Sequence, residues 1–156
     1  MSRVRPIQPP PRRAPEPSLA SLLDEHGMIL LFDGTCGLCD AAVQWILRRD
    51  PSGAMRFAPL ESRLGREALA QLPDLARVDS MVLLHRQGAW IKSTAALEIA
   101  RYVGGIWGGA VLGYLIPRAV RDWMYDQVAK RRTAMFGRTD HCLIPAPEQR
   151  ARFYLT

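Results

Sequence analysis

Five apolar residues in a row, Met28-Ile-Leu-Leu-Phe32, stop at Asp33-Gly34, and shortly afterwards the hydrophobic period changes. The run is too short for a buried helix and shows no polar alternation, so it reads as a strand covered on both faces. From Cys39 onward Val43, Ile46 and Leu47 recur at helical spacing until Pro51 and Gly53 end the pattern. A doubly covered strand that feeds straight into a helix needs further strands beside it and helices on both sides. This one junction therefore directs the chain to a layered α/β architecture.

The remaining segments fill in that frame. Leu19 to Glu25 is a short amphipathic segment ahead of the first strand. Met55 to Leu60 alternates briefly as a strand ended by Pro59, and Ser62 to Leu72 carries Leu64, Ala68 and Leu72 on one helical stripe closed by Pro73. Ser80-Met-Val-Leu-Leu-His85 is a second buried strand, and Gln87-Gly88 turns it into Ala89-Trp-Ile-Lys92 as a hairpin. Ser93 and Thr94 have the chemistry of N-caps for a helix to about Val103, which Gly104-Gly105 would end. The glycine-rich apolar stretch to Ile116 reads as a tightly packed core helix, and Pro117 opens a long helix, Arg118 to Phe136, closed by Gly137.

Strand–helix–strand requires a parallel crossover, and the hairpin adds antiparallel strands to the same sheet. The expected fold is a mixed four-stranded sheet flanked by helices, the thioredoxin-like core, with a C-terminal helical extension. The expected divisions are an arm over residues 1–18, a core over 19–105 and an extension over 106–156 packed on the same domain. Pro6, Pro9, Pro10, Pro11, Pro15 and Pro17 make the arm read as extended or disordered.

Composition narrows the function classes. The chain has 156 residues, 48% of them hydrophobic, so a packed domain is within reach. The net charge is +6, but arginines are spread from Arg3 to Arg152. The densest group, Lys130-Arg131-Arg132, falls at a predicted helix end, where cations suit the helix dipole. No nucleic-acid reader motif accompanies the charge, so no nucleic-acid partner is expected. Cysteines number three, Cys36, Cys39 and Cys142, which is no secreted disulfide framework. No apolar leader is visible and the apolar run near Val103 to Ile116 is too short to span a bilayer, so the expected location is cytoplasmic. That run, followed by Arg118 and Arg121, leaves peripheral membrane or partner contact through 104–121 as a second class of role.

The chemistry sits in Asp33-Gly-Thr-Cys36-Gly-Leu-Cys39-Asp40. Two cysteines three residues apart, at the end of a buried strand and the opening of a helix, place both sulfurs on one face of one turn. The first lies among unpaired backbone N–H groups at the positive end of the helix dipole, which favours a thiolate. Cys36 is therefore the expected attacking sulfur and Cys39 the resolving one. Asp33 is a loop cap or a proton shuttle for Cys39. Dithiol exchange needs no bound cofactor, and its partner would be a disulfide-containing protein or a low-molecular-weight thiol.

Leu31-Phe-Asp-Gly-Thr-Cys-Gly-Leu-Cys-Asp40 resembles the signature of the DCC family of thiol–disulfide oxidoreductases. The resemblance continues through Arg56-Phe-Ala-Pro-Leu60, Asp79-Ser-Met-Val-Leu83, Lys92-Ser-Thr-Ala-Ala-Leu97, Pro117-Arg-Ala-Val-Arg-Asp-Trp-Met-Tyr125, Phe136-Gly-Arg138 and Cys142. It implies a thioredoxin-like fold and a redox role, with the family's name-giving residues on Asp33, Cys36 and Cys39. Thioredoxin-like enzymes usually carry a cis-proline before the first hairpin strand, and here Val78-Asp79-Ser80 holds that place. Asp79, facing inward, would oppose a thiolate by like-charge repulsion. Asp79, Ser80, Ser93 and Thr94 are accordingly the candidate lining of the substrate groove. The helix start at Ser93 and Thr94 could receive a carboxylate, although plain capping accounts for the same residues.

The same residues admit rival chemistries. Cys36, Cys39, His141 and Cys142 form a four-ligand zinc set on paper, but adjacent ligands rarely reach one tetrahedral ion and no metal is expected. Asp33-Gly-Thr after a strand also suits an aspartyl-phosphate enzyme, whose nucleophile position is filled here by Leu31. A non-catalytic binding module on the same fold is the remaining alternative. Cys142 reads as a buried structural thiol, and Trp45, Trp90, Trp107 and Trp123 as packing residues.

Overall fold

The computed structural model describes residues 17–50, 52–77, 80–138 and 145–155. The arm, Asp79, His141 and Cys142 fall outside these segments, apart from Pro17 and Ser18 at the arm's end.

The elements follow in the order α1 (Leu19–His26), β1 (Met28–Phe32), α2 (Gly37–Arg49), β2 (Arg56–Pro59), α3 (Arg63–Gln71), β3 (Val82–His85), β4 (Gly88–Ile91), α4 (Lys92–Val103) and α5 (Arg118–Phe136). Short 3-10 segments occupy Pro73–Arg77, Gly105–Leu115 and Pro147–Arg152. The sheet has four strands in the order β2-β1-β3-β4. β1 runs parallel to β2 and antiparallel to β3, and β3 is antiparallel to β4, so the mixed thioredoxin-like sheet expected from the sequence is present.

Strand periodicity builds two cores, one on each face of the sheet. Leu30 pairs with Phe57 on one side and Leu83 on the other. These three residues, with Phe32, pack under Val43, Ile46 and Leu47 of α2 and Ala95 and Ile99 of α4. The alternate set, Ile29, Leu31, Ala58, Val82 and Leu84, faces α1 and α3 through Leu19, Leu22, Leu64 and Ala68. Ser18 caps α1 and Ser62 caps α3, each side chain accepting a backbone N–H three residues on.

The sequence also misleads in places. The first hairpin strand begins at Val82 rather than Ser80, and Ser80 is a buried bend residue. Ser93 and Thr94 are not caps: α4 begins at Lys92, after Ile91, with no side-chain cap, and Lys92 takes a left-handed φ of 51°. Tertiary bonding wins over local capping here, because the Ser93 hydroxyl donates to the Asp122 carboxylate of α5 and the Lys92 ammonium meets Asp126 at 3.0 Å. The largest departure is the glycine-rich stretch, which forms a 3-10 segment against α4 with no buried residue. Its glycines do not seat it in a core. Trp123, expected as packing, is 62% exposed.

Candidate active site

Cys36 is the N-cap of α2, and its sulfur accepts the backbone N–H of Cys39 at 3.4 Å. The helix begins two residues earlier than the hydrophobic period suggests, so Gly37, Leu38 and Cys39 form its first turn. Both cysteines are free, and they are 6% and 3% exposed respectively. The loop before them is pinned by Asp33, whose carboxylate accepts the Thr35 backbone N–H at 2.9 Å and the Thr35 hydroxyl at 2.8 Å. The carbonyl of Asp33 accepts the N–H of Cys36 at 3.2 Å. Asp33 thus holds the loop by side chain and backbone together, the capping arrangement of an Asx turn.

The two thiols occupy different electrostatic positions. Burial pushes the Cys39 thiol up to about 12, and the hydrogen bond and charge of Cys36 add to the effect. A backbone hydrogen bond from Asp33 and the Arg132 guanidinium oppose that rise without cancelling it. The backbone N–H of Cys39 meanwhile donates to the sulfur of Cys36, so the two sulfurs of the pair are not equivalent.

Helix α5 supplies the other half of the site. A polar cavity of about 240 Å³ opens over Cys36 and is lined by Asp33, Thr35, Arg132, Thr133, Gly137 and Arg138. Arg138 forms an isolated antiparallel bridge with Cys36, so the chain leaving α5 pairs with the backbone of the first cysteine. Gly37 lies directly beneath this segment: a Cβ there would stand 2.5 Å from the Phe136 carbonyl oxygen. Two turns back from Arg132 on the same face, Tyr125 lies near Cys39 rather than in the cavity wall. Burial and the charge of Cys39 push the Tyr125 phenol up, while the Ser80 hydroxyl and the Met81 N–H donate to it and partly offset the rise.

The structure thus gathers Asp33, Cys36 and Cys39 in one place and brings Ser80 to them through Tyr125. Ser93 is buried against Asp122, and the flanking carboxylate is held low despite burial by hydrogen bonds from Ser93 and by Arg118. Ser93 and Thr94 do not line the cavity over Cys36. Among the described residues no cluster of histidine, cysteine and carboxylate side chains could hold a metal ion. The lining residues that sequence reasoning missed are Arg132, read there as part of a charged helix end, Gly137, read as the helix terminator, and Thr133 and Arg138, given no role. The seven-residue spacing of Tyr125 and Arg132, which sets both on one face of α5, was the available signal.

The profile of the DCC1-like thiol-disulfide oxidoreductase family matches residues 30–138, which takes in the whole of this arrangement from β1 to Arg138. The chain belongs to that family. Over 127 residues it is 41% identical to the uncharacterized protein YuxK of Bacillus subtilis (strain 168), covering 80% of this chain and 92% of that one. Over 118 residues it is 37% identical to a chloroplastic DCC family protein of Arabidopsis thaliana, covering 73% of this chain and 67% of the relative. No solved structure shows significant similarity to it. Family membership supports a general role in thiol–disulfide redox chemistry.

Proposed function

We propose that this DCC-family protein exchanges disulfides through Cys36 and Cys39. The observation that carries the reading is the asymmetric pair: one sulfur caps a helix and faces a cavity, and its neighbour three residues on is held protonated. In the reductive direction the Cys36 thiolate attacks one sulfur of a substrate disulfide and expels the other as a thiolate. Cys39 then loses its proton to that leaving thiolate, attacks Cys36 and releases the second substrate sulfur. The protein pair ends as a disulfide and the substrate as one thiol and one thiolate, which takes a proton from water, so atoms and electrons balance without a bound cofactor.

The recess favours a small substrate over a protein. Cys36 lies at the floor of a cavity of about 240 Å³ with two arginines, Arg132 and Arg138, in its wall. A low-molecular-weight disulfide bearing carboxylates suits that size and charge. Incubation with glutathione disulfide, followed by thiol counting by mass, tests the reading. The wild type should form an internal disulfide, Cys39→Ser should hold glutathione on Cys36, and Cys36→Ser should do neither. A reduced wild-type pair that stays reduced across all glutathione ratios would refute the proposal, and stoichiometric bound zinc would replace it.

A further inference from the structure

We infer that the face formed by residues 105–124 lies on the surface of an anionic lipid membrane. Nothing in that span is buried, although it holds Ile106, Trp107, Leu112, Tyr114, Leu115, Ile116, Val120, Trp123 and Met124. Ile106 is 87% exposed and Leu115 84%. Scattered exposed apolar residues need no explanation, but a contiguous set of this size marks an interaction surface. It continues into an apolar groove of about 340 Å³ between α4, the 3-10 segment and α5, with Leu97, Ile116, Met124 and Val128 in its walls.

Charge selects the partner. From Gly104 to Arg121 the sequence contains Arg118 and Arg121 and no acidic residue; Arg118 is paired with Asp122 just beyond, so the face keeps one net positive charge, from Arg121, on a chain whose net charge is +6. The nearest carboxylates are already engaged: Asp122 by Ser93 and Arg118, Asp126 by Lys92, and Glu98 by Arg101 and Tyr114. One guanidinium nitrogen of Arg121 is buried beside the groove without a hydrogen-bond partner, while its Nε donates to the Ile116 carbonyl at 3.1 Å. Arginines beside exposed tryptophan, leucine and isoleucine are the chemistry of an interfacial segment over phosphate headgroups.

A second copy of the chain fits less well, since a two-fold contact would set Arg121 against its counterpart with no free carboxylate between them. A protein ligand also fits less well: side chains standing as far out as Ile106 and Leu115 enter a fluid phase one by one more readily than a shaped surface. No helix among the described residues is long and apolar enough to cross a membrane, so the segment would lie on the bilayer.

Vesicle co-sedimentation of the full chain tests this, using phosphatidylcholine alone and phosphatidylcholine with about one-third phosphatidylglycerol. Binding should occur with the anionic vesicles, weaken with added salt and shift the tryptophan emission to the blue. Leu115→Asp and Ile106→Asp replace largely solvated side chains and should keep the far-UV spectrum of the parent. Each should lower vesicle affinity by about tenfold or more, and Arg121→Gln should weaken binding to the anionic vesicles alone. Absence of binding to either vesicle overturns the inference. So does a stable dimer in sedimentation velocity that Leu115→Asp dissociates, or vesicle binding that neither aspartate variant changes. The readout does not depend on the cysteines, so failure here leaves the redox proposal standing.

Discussion

The backbone N–H of Cys39 points at the sulfur of Cys36, 3.4 Å away, while burial and the neighbouring Cys36 push the Cys39 thiol itself up to about 12. This arrangement makes alkylation selective. Iodoacetamide added to the reduced native protein should modify Cys36 alone, and Cys39 should stay unmodified until the pH nears 12 or the fold opens. The sign for stability follows. The Cys39 thiol is raised in the folded state, so its contribution is complete below its unfolded pKa of about 9 and is lost as the pH climbs toward its folded value. Peptide mapping after graded alkylation checks both statements, and equal labelling of the two cysteines at neutral pH would contradict them.

The C-terminal tail is tied to the end of α2 by a buried ion pair. The Arg152 guanidinium binds the fully buried Asp50 carboxylate, which also accepts the Tyr102 hydroxyl at 2.8 Å and the Gly53 N–H at 3.0 Å. Burial alone would raise Asp50, but the bonds from Tyr102, Arg152, Gly53 and Ser52 together hold it below the usual range. A carboxylate lowered by folding stabilises at neutral pH, and that stability disappears as the pH falls below about 4. Asp50→Asn should cost on the order of 3 kcal/mol at neutral pH by leaving Arg152 unpaired. Urea titrations at several pH values should show the gap between the two proteins closing in acid.

Phe153 carries the same tail into the core. Its ring stacks on Phe57 with centroids 5.1 Å apart and meets Phe32 edge-on at 6.4 Å. Phe32 belongs to the strand that ends at the active-site loop, and Phe57 to the parallel strand beside it. Phe153→Ala should destabilise the protein by about 3–5 kcal/mol, measurable as a drop in the denaturation midpoint without a change in slope.

What the sequence disclosed and what it hid divide along the range of the interactions. The run Met28–Phe32, the helical period after Cys39 and the Gln87-Gly88 turn depend on neighbours in the chain, and they predicted the sheet and its flanking helices. The cysteine pair was equally plain because three-residue spacing within a helical turn is local geometry. Ser93 failed as a cap because its hydroxyl is taken by Asp122, 29 residues away. The return of the chain after α5 over Gly37, and the seating of Phe153 on Phe57, have no local trace at all. The glycine-rich segment was read as core from its apolarity, yet apolarity records only that water is disfavoured, not that the same chain provides the cover.

Gly37 is the point at which the roof of the site bears on its floor. It is not among the residues with positive φ, so glycine is required here for space rather than for backbone freedom. A methyl group would lie 2.5 Å from the Phe136 carbonyl oxygen and 3.1 Å from that of Gly137, and both obstacles are backbone that cannot rotate aside. Alanine favours a helix over glycine by about 1 kcal/mol, which alone would make Gly37→Ala stabilising. The clash should win, since overpacking of this kind costs about 1–3 kcal/mol and relief requires the end of α5 to lift. Lifting it also withdraws Arg138 from Cys36 and widens the cavity. The variant should therefore melt at a lower temperature and alkylate faster at Cys36. A higher melting temperature with an unchanged alkylation rate would show that the contact between α5 and the first turn of α2 is looser than the geometry requires.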